Sequence, residues 1–369
     1  MARNFDSRLQ KLNSRRQGPP EVQKLRKTMD GFAPELEAYQ KRGTKTASTY
    51  ALGAMQQVDP DYTARSFEEG DRVKNQLDRG LSGVIPASFE YQGSVPLNIH
   101  IRGVSDVDLL LVRTDIITIA KSGCRANTHY VDWTGPNSPT LLSQLRSRAE
   151  QILPKAFPEA NVDISGSKAI TISGGSLRRS VDVIPSHWYD GEEYQRTQLQ
   201  KDRGIYIFLK QNGRRMLNYP FLHMDRINSK DTVTAGNTKK IIRLLKTLVA
   251  DYEEGPEIRL SSYDIASLAW HFSSDQLQVQ SWNELALLWI ARTNLEAMVN
   301  NELWTKSLET PDGTRRIINE DPKFTSLKVL LNEVNDLVRE VAMELSALPI
   351  YSTDDLARTL RNSIITPAL

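Results

Sequence analysis

Short apolar runs alternate with turn residues through the first two thirds of the chain, and helical periodicity takes over near residue 235. Ser88–Tyr91 is a short strand that enters a Gly93-Ser94 turn, and Leu109–Val112 is a continuous apolar run. NVDIS, KAITIS and Val181–Ile184 read as further strands, the last ended by Pro185. Gly204–Lys210 (GIYIFLK) is another, followed by an Asn212-Gly213 turn. Two stretches read as helices: Tyr62–Leu81, ahead of the first strand, and the amphipathic Pro139–Phe157, between strands, which should stop near Pro154 or Pro158. Beyond the change of pattern, Thr238–Tyr252, Ser262–Phe272, Ser281–Asn301 and Thr325–Leu345 are helical in period. Residues 1–45 are polar and basic, with a break at Gly18-Pro19-Pro20, and Val22–Arg42 has helical character interrupted at Gly31 and Pro34. The pattern predicts an α/β (α+β) chain: a mixed-sheet front half over 1–235 and a helical back half over 236–369 that closes a cleft.

Eleven residues separate Gly93-Ser94 from Asp106-Val107-Asp108, and the apolar run follows. On a strand, residues i and i+2 share a face, so the two carboxylates project side by side. Like charges this close repel unless a cation lies between them. Oxygen donors without His or Cys suit Mg²⁺, or Mn²⁺ in its place, rather than Zn²⁺. A third acid, Asp182, lies on its own apolar strand, and an adjacent antiparallel strand would bring it beside the pair. Three acids of this kind are suited to displacement at phosphorus with two metal ions, Asp182 helping to take a proton from an attacking hydroxyl. An Asp-x-Asp by itself is commonly a solvated edge. The upstream Gly-Ser, the buried strand and the third acid favour chemistry.

Composition changes this picture little. The chain has 369 residues, 39% hydrophobic and 25% charged, with a net charge of +2, so no general attraction to nucleic acid is expected. The one cysteine, Cys124, excludes an internal disulfide and a multi-cysteine zinc module. Apolar runs are too short to span a bilayer and no signal peptide is evident, so a cytoplasmic protein is expected. The five histidines have no metal-ligand spacing.

Other segments carry weaker chemistry. Glycine at 93 lets backbone approach a triphosphate, and the Ser94 hydroxyl would bind its terminal oxygens. Lys239, Arg243 and Lys246 share one face of a helix; the ordinary reading is a solvated basic face, and the functional one gives Lys246 to phosphate charge. Ser262-Tyr263 opens the next helix, with Ser261 or Ser262 as N-cap; alternatively Ser262 binds phosphate and Tyr263 stacks on a base. Ser173-Gly174-Gly175-Ser176 reads as a hairpin turn.

The runs GSVPLNIHIRGVSDVDLLLV, SVDVIP, NTKKIIRLLKTL and LSSYDIASLAW together resemble the polymerase-β-type nucleotidyltransferase superfamily. More narrowly, they resemble the cGAS/DncV-like nucleotidyltransferases of bacterial antiphage defence. The resemblance covers roughly residues 60–300 and implies a polymerase-β-type core with a C-terminal helical lobe. It implies catalytic and metal-binding roles for Asp106, Asp108 and Asp182, holding two Mg²⁺ ions. Nucleotide contacts would fall to Gly93, Ser94, Lys246, Ser262 and Tyr263. The implied activity is synthesis of a cyclic di- or trinucleotide from NTPs, read by a separate effector, with no membrane involved. The family's Gly-Thr after Gly-Ser is replaced here by Asn98-Ile99, and Pro96 sits where a helix would start. A single cysteine excludes zinc-dependent DNA sensing of the animal kind. A template-independent transferase acting on RNA would keep the chemistry and change the acceptor. A nucleotide-binding regulator with a dead site is disfavoured by the three intact acids.

Overall fold

The computed structural model describes residues 4–18, 36–43, 45–253, 255 and 257–365. The interrupted helix expected within 22–42 therefore lies largely outside the described residues. In chain order the helices and strands are α1 (Phe5–Gln17), α2 (Ala38–Arg42), α3 (Thr46–Met55), α4 (Pro60–Leu81), β1 (Ala87–Gln92), β2 (Val107–Ile119), α5 (Ser138–Ala156), β3 (Asn161–Asp163), β4 (Ile170–Ser173), β5 (Val181–Asp190), α6 (Glu192–Thr197), β6 (Gly204–Leu209) and β7 (Arg214–Asn218). They continue as α7 (Pro220–Val233), α8 (Asn237–Ala250), α9 (Ser262–Trp270), α10 (Ala286–Asn300), α11 (Glu302–Ser307), α12 (Asp321–Leu345) and α13 (Thr353–Arg361).

Residues 59–98 and 105–226 form one compact unit, built on a sheet of order β1-β2-β5-β4-β3, with β6 on the far half of β5 and β7 on β6. β2 and β5 run parallel; the other pairs are antiparallel. The sheet is mixed, as expected, but the antiparallel arrangement expected for the Asp182 strand is corrected. The chain between β2 and β5 carries α5 and the β3–β4 hairpin, and a crossover of that length can return the strand in parallel. Alternation along β2 separates two cores. Leu109 and Leu111 pack with Val73 and Leu77 of α4, Leu142 and Leu145 of α5, and Val181 and Val183. Leu110 and Val112 pack on the other face with Ile184, Trp188, Ile205 and Ile207.

Pro185 does not end β5, which continues to Asp190. β5 pairs with β4 through Val183 and with β6 from Ser186, so the proline falls where its antiparallel neighbour changes. Its missing N–H is not needed there. Pro154 likewise lies inside α5, two residues before its end, and the segment 174–176 turns β4 into β5.

The second unit comprises residues 1–58, 99–104 and 227–369. This grouping differs from a division at 235: α1–α3 pack with the C-terminal helices. The polar look of α1 hides buried ion pairs. Arg8 donates to Glu333 of α12 at 2.5 Å, Arg15 pairs with Asp251, and Tyr50 donates to the same Asp251 at 2.8 Å. The core of this unit is the apolar stripe of α12 (Leu327, Leu330, Val334, Leu337, Val341) and that of α8 (Ile241, Leu244, Leu245, Leu248), all fully buried. Among the described residues no helix is long and apolar enough to cross a membrane.

Candidate active site

Asp106 immediately precedes β2 and Asp108 is its second residue; Asp182 is the second residue of β5. Parallel pairing sets Asp108 directly beside Asp182, in register, with Leu109 beside Val183 and Leu110 beside Ile184. By strand parity the acids lie on the Leu110–Ile184 side, away from α4 and α5. The buried strands beneath hold this edge, since Leu109 to Val112 are fully shielded.

Burial raises the proton affinity of Asp106, and a hydrogen bond from Ser180 opposes that rise. Burial raises that of Asp182 too; the Thr171 bond lowers it and the Asp106 charge raises it again. Thr171 of β4 lies opposite Asp182 and donates its hydroxyl to Asp182 Oδ1 at 2.6 Å. Thr171 and Ser180 were not singled out from sequence. The only available signal was a threonine in a strand that could pair opposite an acid. Two carboxylates pushed towards protonation in one small region are a hard-oxygen donor set short of positive charge.

Gly93 follows the end of β1, where Gln92 pairs with Asp108, and has φ +81°. A Cβ at this position would overlap Asp108 Oδ2 and stand 2.9 Å from its Cγ. Glycine here thus serves two needs, a left-handed turn and close approach of the Asp108 carboxylate. Ser94 opens the turn 94–98, in which Asn98 also takes a positive φ of 55°. No helix starts at Pro96. Among the described residues, no three acidic, histidine or cysteine side chains already close on one point as a metal cage. The fit to Mg²⁺ therefore rests on donor chemistry: three carboxylates, no nitrogen or sulfur, and two of them with raised proton affinity.

Lys246, Ser262 and Tyr263 belong to the helical unit. Lys246 is buried and donates from Nζ to the Ile99 carbonyl at 2.9 Å. Its face of α8 is not a solvated basic one. Arg243 is buried, donates to the Met55 carbonyl at 2.7 Å, and burial lowers its pKa to about 10. Lys239 pairs with Asp231 at 3.7 Å. Ser261, not Ser262, caps α9: it exchanges hydrogen bonds with Asp264, a capping box. Ser262 is exposed beside it. Tyr263 is half-buried, with the Arg315 guanidinium 5.4 Å from its ring centre. Trp188 of β5 is a core residue under Arg203.

Comparison with known proteins narrows the chemistry. Residues 225–340 match the family model for the cGAS/DncV-like nucleotidyltransferase C-terminal helical domain. The chain is 40% identical over 338 residues to a cyclic dinucleotide synthase, CdnE, from Yersinia aleksiciae, covering 89% of this chain and 86% of that protein. It is 31% identical over 307 residues to a c-di-GMP synthase from a Lachnospiraceae bacterium, covering 77% and 86%. Its fold matches the structure of a STING-associated CdnE c-di-GMP synthase from Capnocytophaga granulosa, with a TM-score of 0.70 and 29% identity over 93% of this chain and 100% of that one.

Proposed function

The chain belongs to the cGAS/DncV-like nucleotidyltransferase family and is a nucleotidyltransferase, and on that premise we propose that it condenses two NTPs into a cyclic dinucleotide. The observation that carries this reading is Asp182 lying in register beside Asp108, with burial raising the proton affinity of both Asp182 and Asp106.

Gly93 admits phosphate close to the backbone, and the Ser94 hydroxyl binds its terminal oxygens. Oδ1 of Asp182 is taken by Thr171, so Oδ2 receives the proton of the attacking ribose hydroxyl. The ribose oxygen bonds to the α-phosphorus of the donor, the bond from that phosphorus to the bridging oxygen breaks, and pyrophosphate leaves. Repetition within the linear product closes the ring. Asp106, Asp108 and Asp182 would hold Mg²⁺, which supplies positive charge against the triphosphate. Lys246, Ser262 and Tyr263 are proposed nucleotide contacts from the helical unit. The product would be read by a separate effector in antiphage defence; the Capnocytophaga granulosa relative is described as STING-associated.

The test is incubation with all four labelled NTPs and Mg²⁺ or Mn²⁺, phosphatase treatment, and mass analysis, with Asp106→Ala/Asp108→Ala as control. A phosphatase-resistant dinucleotide absent from the control supports the reading, and its mass gives the bases. Long ladders would replace it with a template-independent polymerase.

A further inference from the structure

At the opposite end of β2 from the acids, about 20–30 Å along the strand at about 3.3 Å per residue, an open cavity of about 950 Å³ lies within the sheet unit. One wall is the outer half of β2, including Ile117 and Thr118; the other is the segment 120–137, which contains no helix or strand. Connections this long without secondary structure are uncommon in compact domains and are usually functional. This one is held in place. Tyr130 donates to Asp190 at 3.0 Å, Gln195 donates to the Ala120 carbonyl at 2.8 Å and accepts from the Arg125 amide at 3.1 Å, and Trp133 donates to the Pro136 carbonyl at 2.7 Å.

Arg215 of β7 lines this cavity. Its Nη1 donates to Thr118 Oγ1 at 2.8 Å and Ser138 Oγ at 2.6 Å, and lies 3.3 Å from His187 Nε2. Nδ1 of that imidazole faces the Trp188 carbonyl at 2.9 Å, which makes Nδ1 the donor and Nε2 the acceptor. The guanidinium also lies 3.9 Å from the Tyr206 ring centre. All these partners are neutral. The acids of the neighbouring strand ends are already matched, Asp115 to Arg113 and Asp190 to Arg203, each at 2.6 Å. Lys121 and Asp132, one charge of each sign, are the exposed charged residues of the lining segment. A half-buried guanidinium that lines a roomy cavity and is held by neutral groups calls for an anion from outside the chain. Tyr130 and Trp133 supply planar surface for the rest of that molecule.

We propose that this cavity is a second ligand site, separate from the acids, which takes a small aromatic anion on Arg215 against Trp133 and Tyr130. Its size suits one small molecule. The test is titration of the full chain with anilinonaphthalene sulfonate, itself an aromatic anion. One saturable site is expected, unchanged in Asp106→Ala/Asp108→Ala and weakened about tenfold or more in Arg215→Gln and in Trp133→Ala. Trp133 lies in an exposed segment, so its variant decides the matter if Arg215→Gln fails to fold. Competition then names the head group: displacement by GMP marks a phosphate ligand, by naphthoate a carboxylate. Absence of saturable binding, equal binding by both cavity variants, or displacement by neither competitor would overturn the proposal.

Discussion

Gly93 and Asp108 occupy neighbouring space that a side chain at position 93 would have to share: the Cβ of any other residue would run into the Asp108 carboxylate. The backbone at 93 also has φ +81°, a region that costs non-glycine residues about 1–2 kcal/mol.

Gly93→Ala is therefore expected to be an active-site lesion more than a folding one. With Asp108 in its proposed catalytic role, moving its carboxylate by about an ångström costs on the order of a hundredfold in rate. Product formation should fall by about that factor, with the thermal midpoint lowered by only a few degrees. Near-normal activity in a folded variant would remove Asp108 from the chemistry.

Thr171→Val should act through Asp182. The threonine hydroxyl donates to Asp182 and holds its proton affinity down against burial and the Asp106 charge. Without that bond the carboxyl pKa rises further, so less carboxylate is present at the acidic end. The acidic limb of the pH–rate profile should shift to higher pH, with activity recovered in alkaline buffer. A purely structural role would lower activity equally at every pH.

Much of this site was legible because its signals are local. An Asp-x-Asp before an apolar run, a glycine turn upstream and an acid in a short strand are all properties of a few consecutive residues. The pairing of strands is not local, which is why Asp182 was expected on an antiparallel neighbour and lies on a parallel one. Pro185 misled for a related reason: it reads as a strand terminator unless the change of partner from β4 to β6 is known. The basic face of α8 looked solvated because its charges are visible in sequence and their acceptors, Ile99 and Met55 carbonyls, are remote from it.

His187 provides a stability test independent of catalysis. It is fully buried and its pKa is pushed down to about 4, by burial first, with repulsion from Arg215 adding to it. The unfolded chain takes up this proton near the ordinary value of about 6.5, while the folded chain does not. The resulting stability is complete above pH 6.5 and is lost as pH falls towards 4, by at most about 3 kcal/mol. Denaturant unfolding at neutral and mildly acidic pH should show a loss that is reduced in His187→Gln. An identical loss in both proteins would mean that His187 is already charged in the fold.

Lys246 separates packing from chemistry. Its ammonium is buried on α8 and donates to the Ile99 carbonyl, so removing it leaves that acceptor without this donor, at a cost of about 1–3 kcal/mol. Lys246→Met keeps the aliphatic stem and most of the packing, and a lowered thermal midpoint is expected on this ground alone. The proposed phosphate role predicts more: a higher KM for NTP and turnover reduced about tenfold or more per folded molecule, because a cation is lost where charge must be neutralised. The two effects are measured separately, by thermal unfolding and by initial rates on protein shown to be folded at the assay temperature. A lower midpoint with unchanged turnover would restrict Lys246 to anchoring the segment 99–104.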